Sequence, residues 1–507
     1  MSSTLFGGLE AGCAGDRAGS VASRRRRQNG KVSGMMSRNV VVRACALVGL
    51  ASACATGWGA ESTQPPDIRA PERVPWTDAA KHPCPFLSWG ADLRIRQEYS
   101  KNVSDFDDHQ LDGRNVLRTR YRLWTTFGPF LRDKGIEAPN GLSLYARLAY
   151  EPRYYLTYQT TGVKPPYPDW DEVAVDNLYL DWQRVGGLPV SLRVGRQDLA
   201  YGRGLILQEG TPLDGSRTAY FDACKATLHL DNLKSTLDLL CIHNRGDESD
   251  RLRPYRWDDV RKPVCEYDMD ARGLYFRSNY LEDHELGFYY LYTREKPLEA
   301  FDAPPFTRNR VHTVGLPLTG RMGPWDYYAE LACQWGRHGE ARQRARAFAS
   351  DLGYTFRDLA WTPRLHASYE YFSGDDPHTG RHEGWDPLFG RWSRTSEIVA
   401  GHFARDYRQT SYWTNTQSCL VGVSARPVNL LTLGLDYGYY LANEHDQGNG
   451  PPFGHGNVRG QLCLGKIIYG LSPHCKMHLW AECFRPGSYY ARRDKATYLR
   501  WDILFTF

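Results

Sequence analysis

Tyr498-Leu499-Arg500-Trp501-Asp502-Ile503-Leu504-Phe505-Thr506-Phe507 is the stretch on which the reading of this chain turns. Trp501, Ile503, Phe505 and Phe507 share one parity, and Arg500, Asp502 and Thr506 share the other. At a repeat of two residues this is a strand with one apolar, aromatic face and one polar face. A final aromatic strand left at a sheet edge is an open template for aggregation. Closing the sheet into a barrel removes the edge, so the expectation is a closed sheet whose apolar face looks into lipid.

The composition agrees. With 507 residues the chain is long enough for one large barrel or about three ordinary domains. Hydrophobic side chains make up 41% of it, yet its mean hydropathy is negative. No run of about eighteen apolar residues follows the N-terminal region, which excludes a bundle of membrane helices. Strands that alternate a lipid face with a lumen face keep mean hydropathy low. The 32 Tyr and 15 Trp suffice for two interfacial girdles.

From Met36 the sequence reads as an export signal: Arg38 and Arg43 supply positive charge, Ala44 to Leu50 an apolar run, and Ala53-Cys54-Ala55 a small-residue cleavage site. The expected organisation is an upstream extension and cleaved signal peptide over 1–55, a periplasmic N-terminal segment over 56–87 and the barrel over 88–507. The basic run Arg24 to Arg27 falls in the discarded part, so nucleic acid is not an expected partner. Those first 55 residues hold eight of the 63 Lys and Arg and two of the 58 Asp and Glu, which leaves 55 basic against 56 acidic side chains. Recognition of a charged solute must then come from where the charges point. Nine of the 12 cysteines remain, without a C-x-x-C framework; Cys333 and Cys483 share parity with apolar neighbours and read as small outward hydrophobes.

From Ser88 to Phe507 about eighteen period-2 segments follow one another, each of the length a tilted strand needs to cross a bilayer. Ser88–Glu98 sets Leu93 and Ile95 against Asp92, Arg94 and Arg96. Asn115–Phe127 sets Leu117, Tyr121 and Leu123 against Arg118, Arg120 and Arg122, and Gly141–Arg153 continues the pattern with Arg147. Later segments include Ala345–Arg357, Pro363–Phe372 and Tyr412–Ser424. Connections after even-numbered segments are mostly short, such as Arg184 to Pro189, and those after odd-numbered segments mostly long, such as Ser373 to Ser411. An all-β transmembrane antiparallel barrel of about 18 strands, with short periplasmic turns and long extracellular loops, accounts for that alternation; a soluble sandwich does not.

Two blocks carry a family resemblance. Val194-Gly195-Arg196-Gln197-Asp198-Leu199-Ala200-Tyr201-Gly202, followed by Gly215 to Asp222, resembles the alginate-export family of outer-membrane channels. So does Tyr369-Glu370-Tyr371-Phe372-Ser373-Gly374-Asp375-Asp376-Pro377 with Trp385 to Gly390. The resemblance implies a monomeric eighteen-stranded barrel in the bacterial outer membrane, in contact with outer-membrane lipid and lipopolysaccharide, with an Arg-rich pore that passes a polyuronate outward. It also implies a periplasmic export partner. The last strand, with its final Phe507, is similar to the signal by which the barrel-assembly machinery takes up such chains.

With the apolar parity toward lipid, the lumen presents Arg94, Arg96, Arg118, Arg120, Arg122, Arg147, Arg193 and Arg364. Arginine keeps its charge and its planar fork binds carboxylates in two contacts, so a ladder of arginines gives an anionic polysaccharide or small anion many exchangeable sites. The alternative is ion pairing with Asp92, Glu98, Glu151, Asp181, Asp326, Glu330 and Glu370, which stiffens the wall of a general or small-solute porin. Arg196 has the opposite parity from Arg193, and its side depends on whether Gly195 marks a bulge. The loop through Asp375, Asp376, Trp385 and Phe389 is a candidate gate if it enters the pore and an external loop otherwise. Asp375 and Asp376 sit among turn-forming Gly and Pro, so no metal or cofactor is expected. No G-x-S-x-G, H-E-x-x-H or P-loop spacing occurs, and no enzymatic role is expected.

Overall fold

A computed structural model describes residues 79–110, 112–130, 141–159, 167–208, 220–245, 252, 254–256, 268–296, 308–390, 395–400, 413–445 and 453–507. The expected signal peptide and its cleavage site, most of the expected periplasmic segment, and Gly215 to Ala219 of the family motif lie outside these residues.

The strands are β1 (Leu87–Lys101), β2 (Arg114–Phe127), β3 in two pieces (Gly141–Tyr150 and Arg153–Tyr158), β4 (Glu172–Gln183), β5 (Val190–Gln197), β6 (Phe221–Leu230), β7 (Ser235–Asn244), β8 (Asp268–Ser278) and β9 (His284–Lys296). They continue as β10 (Asn309–Met322), β11 (Trp325–His338), β12 (Ala341–Thr355), β13 (Arg364–Phe372), β14 (Thr416–Val428), β15 (Leu431–Leu441), β16 (Val458–Ser472), β17 (Cys475–Pro486) and β18 (Ala496–Thr506). Each pairs antiparallel with its neighbours, and β1 closes on β18 with Ile95 opposite Ile503 and Arg96 opposite Asp502, giving an 18-stranded barrel. Phe507 extends the seam, exchanging backbone hydrogen bonds with Ala91 at 2.8 and 3.3 Å and packing its ring 5.1 Å from Trp89.

The expected parity holds in the first strands. Along β1, Asp92, Arg94, Arg96 and Glu98 are buried toward the lumen while Leu93 and Ile95 alternate with them on the lipid face. Tyr121, Leu123, Leu148, Leu331 and Leu365 are exposed there, as a chain solvated by lipid requires. Several boundaries differ from the sequence reading by a few residues, β12 for example running Ala341–Thr355 rather than Ala345–Arg357, and two differ for a visible reason. The third strand is interrupted at Glu151 and Pro152, because proline has no N–H for the ladder, and resumes with a register shift against β2 at Asn115/Val116. The fourteenth begins at Thr416, after Asn415 in the left-handed region at φ 48°, and runs to Val428. Loop lengths alternate as expected apart from two links: the stretch 128–140, long for the short-turn end where it joins β2 to β3, and the two-residue Gly339–Glu340, which joins β11 to β12 at the long-loop end.

The apolar core of this molecule lies inside the barrel. Leu205, Ile206 and Leu207, beyond β5, meet Trp385, Leu388 and Phe389, beyond β13, and all six are at most 3% exposed. Leu207 bridges Phe389 in parallel, and the Phe389 N–H donates to the Ile206 carbonyl at 3.1 Å. Inward Ala345, Ala347 and Ala349 of β12 and Ala332 of β11 leave room for them, and the ring of Phe221 packs 5.3 Å from that of Phe389. A third loop piece is tied to the wall at Glu482, whose carboxylate accepts from Ser396 Oγ at 2.6 Å and from the N–H groups of Glu397 and Ile398 at 2.8 and 3.1 Å.

Candidate functional site: the lumen wall and its constriction

Four of the eight arginines expected in the lumen form a dry network where β1, β2, β3 and β18 adjoin. Arg94, Arg96, Arg118 and Arg120 are at most 2% exposed. Arg96 Nε donates to Asp502 at 2.8 Å, Arg118 Nη1 to Glu98 at 2.8 Å, and Arg120 Nη2 to Asp92 at 2.9 Å. Glu151, fully buried, accepts from Arg118 Nε at 3.0 Å and lies 3.2 Å from Arg94 Nη2. Register sets this arrangement: Arg94 stands opposite Arg120, and Arg96 opposite both Arg118 and Asp502. Arginines so placed are tolerable only with carboxylates threaded between them.

The other four are open to water. Arg122 pairs with Asp92, Arg147 with Asp176 and Asp198, Arg193 with Asp181, and Arg364 with Asp326 and Asp351, with side-chain exposures from 12% to 28%. Beside them Tyr145 and Tyr179 stack with centroids 4.9 Å apart, and the Arg193 guanidinium lies 4.5 Å over the Tyr179 ring. Three further cations complete this side. Lys225 stands directly opposite Arg193, Arg277 faces inward from β8, and Arg203 reaches in from the loop after β5 to Asp351 at 3.6 Å and over Tyr328 at 4.4 Å. Among the described residues neither Lys225 nor Arg277 has a carboxylate within ion-pair distance. Lys225 and Arg277 were legible by the parity rule that found the others; Arg203 was not, since its position depends on a loop.

Arg196 faces outward. Gly195 has φ 128° but the β5–β6 ladder keeps its register, so Arg196 lies against Asp222 at 2.8 Å, the Leu252 carbonyl at 2.8 Å and the face of Tyr220, beneath a loop rather than in the pore.

In the expected gate loop, Trp385 and Phe389 are inside the barrel, with the Gln334 side chain donating to the Asp386 carbonyl at 2.6 Å and accepting from its N–H at 3.0 Å. Asp375 and Asp376 stay in the turn above. Asp376 Oδ1 accepts from the His378 N–H at 2.9 Å, and Asp375 accepts from the Glu383 N–H at 2.8 Å and lies 3.0 Å from His382 Nδ1. Partial burial works to raise the Asp375 carboxyl, but His382 and the Glu383 N–H outweigh it and hold the group below the ordinary carboxylate range. Cys333 and Cys483 lie on the lipid face, as their parity predicts; Cys333 stands between Val314 and Arg346, and Cys483 between Cys463 and Thr497.

The sequence over residues 87–452 matches the family described as alginate export. The fold resembles three Pseudomonas aeruginosa barrels: the outer membrane protein opdK at 12% identity and TM-score 0.52, covering 83% of this chain and 99% of that one; OccK2 (OpdF) at 12% and 0.50, covering 82% and 98%; and OpdO at 12% and 0.50, covering 83% and 97%. No curated protein matches the sequence.

Proposed function

For a chain that belongs to the alginate export family, and is therefore an outer-membrane channel, we propose that the transported species is an anionic polysaccharide of the polyuronate type or a related anionic solute. The observation that carries this reading is the water-accessible stripe in which Arg193 faces Lys225, with Arg122, Arg147 and Arg277 on the same wall and the stacked Tyr145 and Tyr179 between them. Guanidinium forks bind carboxylates, and aromatic faces take the C–H faces of sugar rings. Arg122, Arg147 and Arg193 are each shared with a wall carboxylate, so a contact of these with a passing uronate is an exchange of partners and release is fast. The second reading, a general small-solute porin, draws on the same ion pairs, since a paired wall presents little net charge.

Recording in planar bilayers separates the two. An anion-selective reversal potential, block by polyuronate and a shift toward cation selectivity in the Arg193→Glu, Lys225→Glu double variant support the first. No block and no change of selectivity leave the second. Arg118 and Arg120 are unsuitable for such a variant, because reversing a buried charge there breaks the wall.

A further inference from the structure

The outside of the barrel carries positive charge at one edge of the lipid belt. Arg294 (β9), Arg310 (β10), Arg337 (β11) and Arg342 (β12) are exposed and stand opposite one another in successive register pairs, Arg294↔Arg310, Arg310↔Arg337 and Arg337↔Arg342. The residues that alternate with them, Glu295, Val311 and Gln343, are buried toward the lumen, so the arginines point out. One step toward the bilayer the opposed residues are Arg272, Tyr292, His312, Trp335 and Arg344, and Arg346 follows one step below that.

Their depth follows from strand geometry. Trp325 and Trp335 lie on the same outward face of β11 near its two ends. Ten residues rise about 33 Å along a strand, or about 25 Å along the axis of a barrel tilted about 40°, which is the height of the apolar band. Trp335 and Trp325 therefore mark the two interfaces, and Arg337, two residues beyond Trp335, is about 5 Å above the loop-side interface. That is headgroup depth.

Arginines directly opposite in a sheet repel, with Cβ atoms about 5 Å apart. Among the described residues none of these seven has an ion-pair partner, and the acid in the same row, Asp270, is held by His243 at 2.6 Å and Arg245 at 3.3 Å. Glu340, in the turn between Arg337 and Arg342, is exposed, so among the described residues the row carries a large excess of positive charge on the outer face. Just below, Leu239, Leu274, Tyr290 and His312 border an open outward groove of about 500 Å³, with the Tyr290 hydroxyl 2.8 Å from His312 Nδ1.

We infer that this face binds a phosphorylated glycolipid of the outer leaflet, of the lipid A type, with its phosphates across the arginine row and an acyl chain in the groove beneath. The ligand has to present several anionic oxygens at headgroup depth and hydrocarbon directly below them. A soluble polyanion has no acyl chain, and a second copy of this face would oppose arginine to arginine.

Native mass spectrometry of the purified barrel in detergent, titrated with bis-phosphorylated lipid A, the same lipid without phosphates, and a soluble polyuronate, tests the assignment. One bis-phosphorylated lipid A is expected to stay bound. Replacing Arg310, Arg337 and Arg342 together by Gln is expected to weaken it on the order of a hundredfold. The substitutions remove repulsion at exposed positions, so the variant keeps the heat-modifiable gel migration of a folded barrel; if it does not, Arg344→Gln with Arg346→Gln gives the same readout with a smaller loss. Equal retention of the phosphate-free lipid, binding by the folded variant equal to the parent, or binding of polyuronate at this patch in preference to lipid A overturns the inference.

Discussion

Replacing Glu151 by Gln tests the claim that the first strands are held by a buried ion network. Glu151 is fully buried between Arg118 and Arg94, which are themselves at most 2% exposed, with Arg118 Nε at 3.0 Å and Arg94 Nη2 at 3.2 Å. Each contact is worth about 5 kcal/mol of Coulomb energy at an effective dielectric of about 20, most of it offset by the cost of desolvating the ions. The substitution removes the favourable part and leaves the cost. Arg94 keeps Asp502, 3.6 Å from its Nε, and Arg118 keeps Glu98. Breaking a buried pair in this way costs about 3–5 kcal/mol, or about two to four decades in the folded-to-unfolded ratio. Urea titration of the barrel in lipid vesicles, followed by tryptophan fluorescence and by heat-modifiable gel migration, measures it. A loss below about 1 kcal/mol refutes the reasoning. So does a double variant, Glu151→Gln with Arg118→Gln, that costs the sum of the two single changes, because groups in one network do not add.

Two further outcomes follow from the loops inside the barrel. Replacing residues 385–390 by a short Gly/Ser link withdraws Trp385, Leu388 and Phe389 from the lumen and is expected to raise single-channel conductance several-fold without changing the gel migration of the folded barrel; unchanged conductance refutes the constriction. Asp375, with its folded pKa depressed by His382 and the Glu383 N–H, contributes to the anchoring of this loop above the ordinary carboxylate pKa and loses that contribution as pH falls through the depressed value, so gating noise in bilayer recordings is expected to rise only below about pH 4 and to be independent of pH there in Asp375→Asn.

The barrel was legible because alternation and loop length are local properties: Leu93 and Ile95 against Arg94 and Arg96 declare a two-faced strand wherever they occur. The pairing of the lumen charges was not, because it is fixed by register between distant strands. Arg96 meets Asp502 across 406 residues, and nothing near either residue announces the other. The inserted loops were only half legible. Trp385 and Phe389 are apolar residues among turn formers, which fits a loop folded inward or one folded outward; the deciding feature is the run of small inward residues Ala345, Ala347 and Ala349, whose meaning appears only when the rest of the ring is in place.

Arg342, Arg344 and Arg346 show where the parity rule itself gives way. Applied to Gln343, Ala345 and Ala347 between them, it puts the alanines toward lipid and the arginines toward water in the pore, and the structure has the reverse: the alanines are buried inside and the arginines are exposed outside. The rule assumes that the outer face meets hydrocarbon over the whole strand. Near the loop-side end of β12 it does not, since the lipid there presents phosphate and sugar, and the inner face meets the apolar residues of inserted loops rather than water. Both environments exchange character at the same height, so the polar and apolar faces of the strand exchange with them. Two sets of arginines with different roles result. Those buried in β1 and β2 spend their charge on wall carboxylates, while those of β9 to β12 have no ion-pair partner among the described residues and present their charge at the outer face. Of the eight expected in the lumen, Arg122, Arg147, Arg193 and Arg364 remain at the water-filled surface a solute meets.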